Sequence, residues 1–184
     1  MLEIVRQRPS HGPAIERLLD LSFGPDRRLR PSYRLRDGIA PVENLGFIAR
    51  DGRRVVGTLR FWPVTVGGAV PALLLGPLAV HPDDRRRGIA RALIERGLDD
   101  ARRLGHRIVV AVGDQHVFAP FGFFPAHAAG IAMPGLVEKA RVLVVAIEDG
   151  ALAGVSGVLA RARAPSLADA AGAEAPLSAS RSAP

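Results

Sequence analysis

The chain has 184 residues, 48% of them hydrophobic and none of them cysteine, which indicates one globular domain and excludes disulfides, thiolate catalysis and cysteine-ligated metals. Its net charge of +7 comes almost entirely from arginine, but the arginines alternate with acidic residues and aromatic residues are scarce, so a small phosphorylated ligand is expected rather than a nucleic acid. No segment has the apolar length of a signal peptide or a membrane span, so we expect a cytoplasmic protein that does not bind a membrane.

The first predicted elements are a helix and an antiparallel meander. Helical spacing of apolar residues predicts a helix over Gly12–Phe23, whose apolar side holds Ile15, Leu18, Leu19 and Leu21 to Phe23. An Arg- and Pro-interrupted loop follows. Between Leu45 and Val80, three β-like runs are separated by Asp51-Gly52 and Gly67-Gly68, dipeptides that are typical of hairpin turns. This region is therefore predicted to form an antiparallel meander.

The run HPDDRRRGIARALIERGLDDARRLG, residues 81–105, concentrates positive charge where a helix begins. The apolar run LLLGPLAV before it predicts a strand, and after Gly88 a buried helical face is indicated by Ile89, Ala92, Leu93, Leu98, Ala101 and Leu104. Gly105 then suits a left-handed cap. The first turn of such a helix has unpaired N–H groups and the positive end of the dipole, and Gly88 lets an anion approach the backbone. The pattern predicts an anion site here, with a solvated basic turn as the alternative.

Two more strands and a tail complete the predicted organisation. HRIVVAVG (106–113) and VLVVAIEDG (142–150) are continuous apolar runs typical of strands buried on both faces. The strands that flank the long helix are expected to be parallel neighbours, because a strand–helix–strand connection is right-handed and parallel. The sequence thus predicts an α+β domain over residues 1–150, with a mixed sheet between helices. Residues 151–184 are rich in Ala, Pro and Ser and are predicted to be a mobile tail.

Three segments resemble the GCN5-related N-acetyltransferase (GNAT) family, and especially its bacterial members. That family has Arg or Gln, two residues, Gly, one residue, and Gly or Ala at a helix start after a strand; here the pattern is RRRGIA, from Arg85 to Ala90. LGPLAVHPDDRRRGIARALI is similar to the family's strand, turn and helix, and FAPFGFFPA (118–126) to its downstream FGF segment. The resemblance covers about residues 1–150 and implies the acyl-CoA N-acyltransferase fold, with a mixed, mostly antiparallel sheet.

The resemblance also implies acetyl-CoA as the acetyl donor. Its pyrophosphate would lie on the backbone of the helix start, with Arg91 within reach of a phosphate. Its pantetheine arm would pair with the backbone of residues 78–80, and an N–H group near Leu78 would polarise the thioester carbonyl. The residues that the resemblance assigns to acetyl-CoA binding are Leu78, Ala79, Val80, Arg85, Arg86, Arg87, Gly88, Ile89, Ala90, Arg91 and Phe118.

One position departs from the family pattern. The family commonly has a tyrosine four residues before the glycine of the FGF segment, where it protonates the leaving thiolate, and this chain has Phe118 there. Tyr33, the only tyrosine, is far upstream. Asp114 and His116 lie between the strand end and Phe118 and are candidate catalytic groups, acting directly or through water. The alternative is that both are polar residues of a surface loop.

Two functions are compatible with these residues. The first is transfer of an acetyl group from acetyl-CoA to a primary amine of a small molecule or peptide, by direct attack in a ternary complex. The second is a non-catalytic acyl-CoA-binding sensor or partner-binding module. Residues Arg27 to Arg36 either border the acceptor cleft, where they would favour an acidic acceptor, or are solvated. No metal is expected, because the histidines lack ligand spacing on a common helix face; a monomer and a homodimer both fit.

Overall fold

A mixed sheet of ten strands organises residues 1–162, the part of the chain that the computed structural model describes. The strands are β1 (Leu2–Arg6), β2 (Gly46–Asp51), β3 (Arg54–Val66), β4 (Val70–Leu75), β5 (Ala79–Val80), β6 (Ile108–Val112), β7 (Phe124–Pro125), β8 (Ile131–Ala132), β9 (Val142–Ala146) and β10 (Gly157–Arg161). The order across the sheet is β1-β2-β3-β4-β6-β9-β7; β5 and β10 also pair with β3, and β8 pairs with β10. The pairs β4–β6 and β8–β10 are parallel and the others antiparallel, which confirms the predicted fold class.

Helices cover both faces of this sheet. α1 (Gly12–Phe23) packs on β3 and β5, and α3 (Ile89–Arg103) packs on β2 and β3. Side chains of β2 alternate between the two faces: Phe47 belongs to the core under α3, whereas Ile48 belongs to the core under α1. Two single turns, α2 (Pro31–Arg34) and α4 (Gln115–Phe118), lie in connecting loops. In the described residues, no helix is long and apolar enough to cross a membrane.

Both long helices have nearly the predicted bounds, with one correction in each. In α1, Ile15, Leu18 and Leu19 are buried as predicted, but Leu21 is exposed because it lies two residues after Leu19 and therefore on the opposite side of the helix. Gly105 has φ +81°, the predicted left-handed conformation. Leu104 is half exposed, contrary to prediction, because the helix ends at Arg103 and the backbone has already left its axis.

The apolar run over residues 73–80, predicted as one strand, is divided in two. β4 ends at Leu75, where Gly76 has φ +129° and the next residue, Pro77, has no N–H to donate to a ladder. Pairing between β4 and β6 stops at Leu75 and Ala111. Beyond that point β5 pairs with β3 and diverges from β6. The divergence opens a gap in the sheet, and the candidate site lies there.

The sequence predicts neither the first strand nor the last. β1 adds to the edge of the meander by pairing antiparallel with β2. β10 pairs antiparallel with β3, where Leu159 faces Val66 and is buried. The prediction of a tail from residue 151 is therefore wrong for residues 157–161. Leu159 is the one large buried side chain of that strand, so the alternating apolar pattern that predicts a strand is weak there. The rest of the predicted tail, residues 163–184, lies outside the described residues.

Candidate functional site

The turn before α3 presents a continuous row of backbone N–H groups. Gly88, the N-cap, has φ +76° and Arg86 has φ +63°, so both are left-handed. The first N–H of the helix with a backbone acceptor is that of Ala92, which donates to the carbonyl of Gly88 at 3.0 Å. Within residues 1–162, the N–H groups from Arg86 to Arg91 have no backbone acceptor. A row of this kind at the positive end of a helix dipole is suited to bind a phosphate group.

The Asp84 carboxylate fixes the shape of this turn. It is 2% exposed, and it accepts hydrogen bonds from Nη2 of Arg54 at 2.8 Å and from Nη1 of Arg87. Arg87 also donates to Asp51 at 3.1 Å, and these bonds to Asp51 and Asp84 raise the pKa of Arg87. The pKa of Asp51 lies below its ordinary value because the terminal ammonium of Met1 and Arg87 both donate to it. The charge of Arg87 is therefore compensated by the protein's own carboxylates, Asp51 and Asp84.

The other arginines of the helix start differ from Arg87. Nε of Arg91 donates to Glu95 one helical turn later, at 2.8 Å on the exposed surface. Arg85 and Arg86 are exposed and have no ion-pair partner among the residues that the structure describes. Their side chains are free to meet the phosphates of a ligand bound to the backbone row.

The short strand β5 has one unpaired backbone edge. His81 donates its N–H to the carbonyl of Val56 at 2.8 Å, and Ala79 lies opposite Thr58. Because N–H groups alternate in direction along a strand, those of Leu78 and Val80 point away from β3. In the described part of the chain, the N–H of Leu78 has no backbone acceptor. This edge can accept an extended ligand as an additional strand.

A cleft of about 230 Å³ occupies the gap where β5 and β6 diverge, and we call it the β5–β6 cleft. Four parts of the chain line it: the segment after α1, the strand break, the end of β6 and the region of α4. The lining residues are Phe23, Arg30, Ser32, Tyr33, Arg36, Leu75, Gly76, Pro77, Leu78, Val112, Gly113, Asp114, Val117, Phe118 and Arg141.

The structure brings two of the three downstream candidates to this cleft. Phe118 is 5% exposed in its wall and packs edge-on against Phe123, with 5.3 Å between ring centroids. Asp114 also lines the cleft, and its Oδ1 is 3.1 Å from Nη1 of Arg141. His116 is exposed and lies outside the residues that line the cleft. Of the two predicted catalytic groups, only Asp114 thus borders the gap.

Tyr33 enters the same cleft, although the sequence places it far from the motif. Its hydroxyl accepts a hydrogen bond from Nη1 of Arg27 at 3.1 Å. Arg27 is not a solvated charge: it is buried and also donates to Glu16 at 2.5 Å and to Asp20 at 2.8 Å. The only sequence signal for this region is the arginine-rich stretch 27–36. In the structure that stretch borders the cleft through Arg30, Tyr33 and Arg36.

A second cleft of about 260 Å³ adjoins the first, and we call it the arginine cleft. Tyr33, Arg36 and Pro77 line both clefts and form their common wall. The arginine cleft is also lined by Glu16, Leu19, Arg27, Arg28, Asp37, Gly38, Arg60 and Trp62. Nε1 of Trp62 donates to the carbonyl of Gly76 at 2.7 Å, so a wall of the arginine cleft is hydrogen-bonded to the strand break.

Comparison with known proteins gives consistent matches. The sequence profile of the Acetyltransferase (GNAT) family matches residues 13–123. The uncharacterized N-acetyltransferase YhbS of Escherichia coli K12 is 35% identical over 156 residues, covering 82% of this chain and 90% of that protein. The crystal structure of Escherichia coli YhbS in complex with CoA has a TM-score of 0.76 at 31% identity, covering 88% of this chain and 89% of that one. A GNAT family acetyltransferase from Brucella melitensis in complex with acetyl-CoA has a TM-score of 0.59 at 26% identity, covering 79% and 88%.

Proposed function

Because this chain belongs to the GNAT acetyltransferase family, we propose that it transfers the acetyl group of acetyl-CoA to a primary amine by direct attack in a ternary complex. The observation that carries the proposal is the row of N–H groups from Arg86 to Arg91, which follows the unpaired edge of β5 in the chain; Leu78, just before β5, lines the β5–β6 cleft. The relatives whose structures contain CoA or acetyl-CoA support the choice of donor.

The proposal gives each part of the site a role in binding the donor. The N–H groups from Arg86 to Arg91, including those of Gly88, Ile89 and Ala90, hold the pyrophosphate, and the side chains of Arg85 and Arg86 add positive charge. The exposed side chain of Arg91 adds a third charge by exchanging Glu95 for a phosphate. The backbone of Leu78 and Val80 pairs with the pantetheine amides, while Ala79 keeps the strand attached to β3. The N–H of Leu78 donates to the thioester oxygen and stabilises the negative charge that develops there.

The transfer itself needs two proton movements. The neutral amine attacks the thioester carbon, a carbon–nitrogen bond forms, the carbon–sulfur bond breaks, and the thiolate leaves. The amine nitrogen loses a proton and the sulfur gains one. Asp114 is the proposed acceptor of the amine proton. Tyr33 is the proposed donor to the sulfur, because its oxygen accepts from Arg27 and its own proton is therefore free to be donated.

Phe118→Tyr tests whether the cleft lacks a proton donor at that position. The new hydroxyl is expected to raise kcat by about tenfold, since a positioned general acid contributes about 10²- to 10⁴-fold when it is fully effective. The dissociation constant of acetyl-CoA should stay unchanged, because the new hydroxyl acts on the sulfur only as the thiolate leaves. The substitution alters no contact that holds acetyl-CoA in the ground state. Free thiol release measures kcat, and calorimetry measures binding. Phe121→Tyr adds a hydroxyl nearby, at a residue that does not line the cleft, and is the matched control.

Removal of the remaining polar candidates tests their catalytic roles. Asp114→Ala and Tyr33→Phe are each expected to lower kcat by about tenfold or more. His116→Ala should have a smaller effect, since His116 reaches the reacting atoms only through water. Arg141→Met keeps Asp114 but removes its ion pair, and so separates positioning of the carboxylate from its chemistry. If Phe118→Tyr gains nothing and Asp114→Ala, Tyr33→Phe and His116→Ala all keep full activity, proximity and the Leu78 N–H account for the rate and the proton-transfer roles are abandoned.

The second candidate function is a non-catalytic acyl-CoA-binding module. It is favoured by one observation, the apolar ring of Phe118 in the cleft wall where the family commonly has a proton donor. Titration of the protein with acetyl-CoA, followed by a panel of amines assayed for free thiol, separates the two functions. Binding of acetyl-CoA without acetylation of any amine, by the wild type and by Phe118→Tyr alike, would establish the second function.

A further inference from the structure

Arg36 has a buried guanidinium group that its own protein leaves largely unsatisfied. The residue is 8% exposed, and its Nε and Nη1 atoms are buried without a hydrogen-bond partner within residues 1–162. Burial lowers the pKa of Arg36 to about 10, and the same part of the chain offers no carboxylate within ion-pair distance of it. A buried charge without a partner is strongly unfavourable, so such a group is expected to have a function.

Aromatic rings hold this guanidinium in place. Its central carbon lies 4.8 Å from the ring centroid of Tyr33 and 5.8 Å from that of Trp62. A Cβ built on Gly76 would lie only 3.0 Å from Nη2, so the group also contacts the backbone at the strand break. Stacking fixes the plane of the guanidinium but satisfies none of its N–H groups. The Nε and Nη1 atoms of that plane are left without a partner in the described residues, and Arg36 stands in the wall shared by the two clefts.

The phosphates of the donor are not candidates for the anion that could pair with Arg36. Their proposed site is the backbone row from Arg86 to Arg91, whereas Arg36 lies against Gly76, before the position where Leu78 would hold the thioester. The other ligand of the proposed ternary complex is the acceptor, which is therefore the expected source of this anion. The charge of this anion is also limited, because Arg60, a partly buried arginine of the arginine cleft, is 3.9 Å from Glu16 and donates to Gln7. One uncompensated guanidinium suits a carboxylate better than a dianionic phosphate.

We propose that Arg36 binds a carboxylate of the acceptor, so that the substrate is an amino acid or a similar small amine that carries a carboxylate group. This inference rests on the proposed acetyl transfer and specifies its acceptor. The arginine cleft, at about 260 Å³, has room for a small molecule of this class. Asp37 gives the cleft a negative group that attracts the acceptor's ammonium before it loses a proton, whereas Glu16 is already paired with Arg27.

Kinetics on matched acceptors test the inference. α- and ω-amino acids are each compared with their amides, which keep the amine and remove the negative charge. The wild type is expected to prefer the carboxylates by about 10- to 100-fold in kcat/KM, the range for a hydrogen bond between charged groups. Arg36→Met should abolish the preference by raising KM for the carboxylates only, and Arg36→Lys should restore part of it. Arg34 is exposed and lines neither cleft, so Arg34→Met should leave the preference for carboxylates unchanged.

A binding measurement separates this inference from the proposed function. Trp62 is the only tryptophan and lies beside Arg36, so its fluorescence should report amino-acid binding to the CoA-saturated protein without turnover. A fluorescence change in the wild type that is lost in Arg36→Met, with no acetylation of any amine, would keep the carboxylate site and refute acetyl transfer. Acetylation of amides and carboxylates with equal kcat/KM would support acetyl transfer and refute the carboxylate site. A preference for aminoalkylphosphonates over carboxylates, or an equal loss on both acceptor types in Arg36→Met, would also overturn the inference.

Discussion

Gly88→Val is expected to weaken the binding of acetyl-CoA by tenfold or more while the protein stays folded. At φ +76° a residue with a Cβ is strained by about 1–2 kcal/mol, and a branched one is a clear outlier. The turn will relieve this strain by rotating the peptides on either side of Gly88, which removes N–H groups from the row. Loss of a single hydrogen bond to a charged phosphate costs about 1.5–3 kcal/mol, which is about tenfold or more in affinity.

The structure supplies a matched control for this substitution. Gly105, at the other end of α3, has φ +81°, and a Cβ on either glycine would meet no described atom within 4 Å. Gly105→Val thus introduces the same backbone strain in the same helix but far from the N–H row. Calorimetric titration with CoA and thermal unfolding should show equal losses of stability for the two variants and a loss of affinity only for Gly88→Val. Undiminished CoA affinity in a folded Gly88→Val protein contradicts the assignment of the site.

Gly97→Val is expected to give the largest loss of stability, because α3 contacts the sheet through this residue. A Cβ there would lie 2.6 Å from Cε2 of Phe61 and 3.0 Å from Cδ2 of Leu59, and both side chains are fully buried. Overpacking of this kind costs about 1–3 kcal/mol, which exceeds the few tenths that valine gains over glycine in helix propensity. For a chain of this size each kcal/mol lowers Tm by about 2–4 °C.

Thermal unfolding of three variants checks this expectation. Gly97→Ala should lie between the wild type and Gly97→Val, because alanine adds the clashing Cβ but gains about 1 kcal/mol in helix propensity. Asp99→Val puts the same β-branched side chain on the exposed face of α3 and should change stability by about 0.5 kcal/mol or less. A Gly97→Val protein as stable as Asp99→Val would mean that Phe61 and Leu59 can move aside without cost.

The N–H row could be predicted because its cause is local in sequence. Helical periodicity after Gly88 and the glycine itself define the helix start, and the structure has the helix there. The run over 73–80 forms two strands instead of one, and this difference also has a local cause. Pro77, after Gly76, has no N–H to donate to a neighbouring strand, and a pattern of apolar residues does not register that loss. In both cases the signal lies within a few residues of the feature that it predicts.

The proposed acceptor side of the site could not be predicted from a local pattern. Tyr33 and Arg36 reach the cleft because the segment after α1 crosses the end of the sheet, and no local periodicity encodes which loop covers which strand. The free edge of the Arg36 guanidinium is a property of its surroundings, since other arginines of that stretch, such as Arg27, are fully paired. The prediction of a strand-free tail failed for a related reason: Leu159 is buried by β3, a partner far away in the chain.

Because of the ion pairs of Asp84, the turn before α3 loses its conformational freedom when the protein folds and not when a ligand binds. Arg54 and Arg87 converge on one buried carboxylate, so the backbone around Arg86 is ordered by the protein's own contacts. The conformational entropy of these residues is therefore lost in folding, and little of it remains to oppose the association of a nucleotide. If the proposed site binds the donor, the enthalpy of each phosphate contact then contributes to affinity almost undiminished. Conditions that loosen Asp84 would transfer that entropic cost from folding to binding.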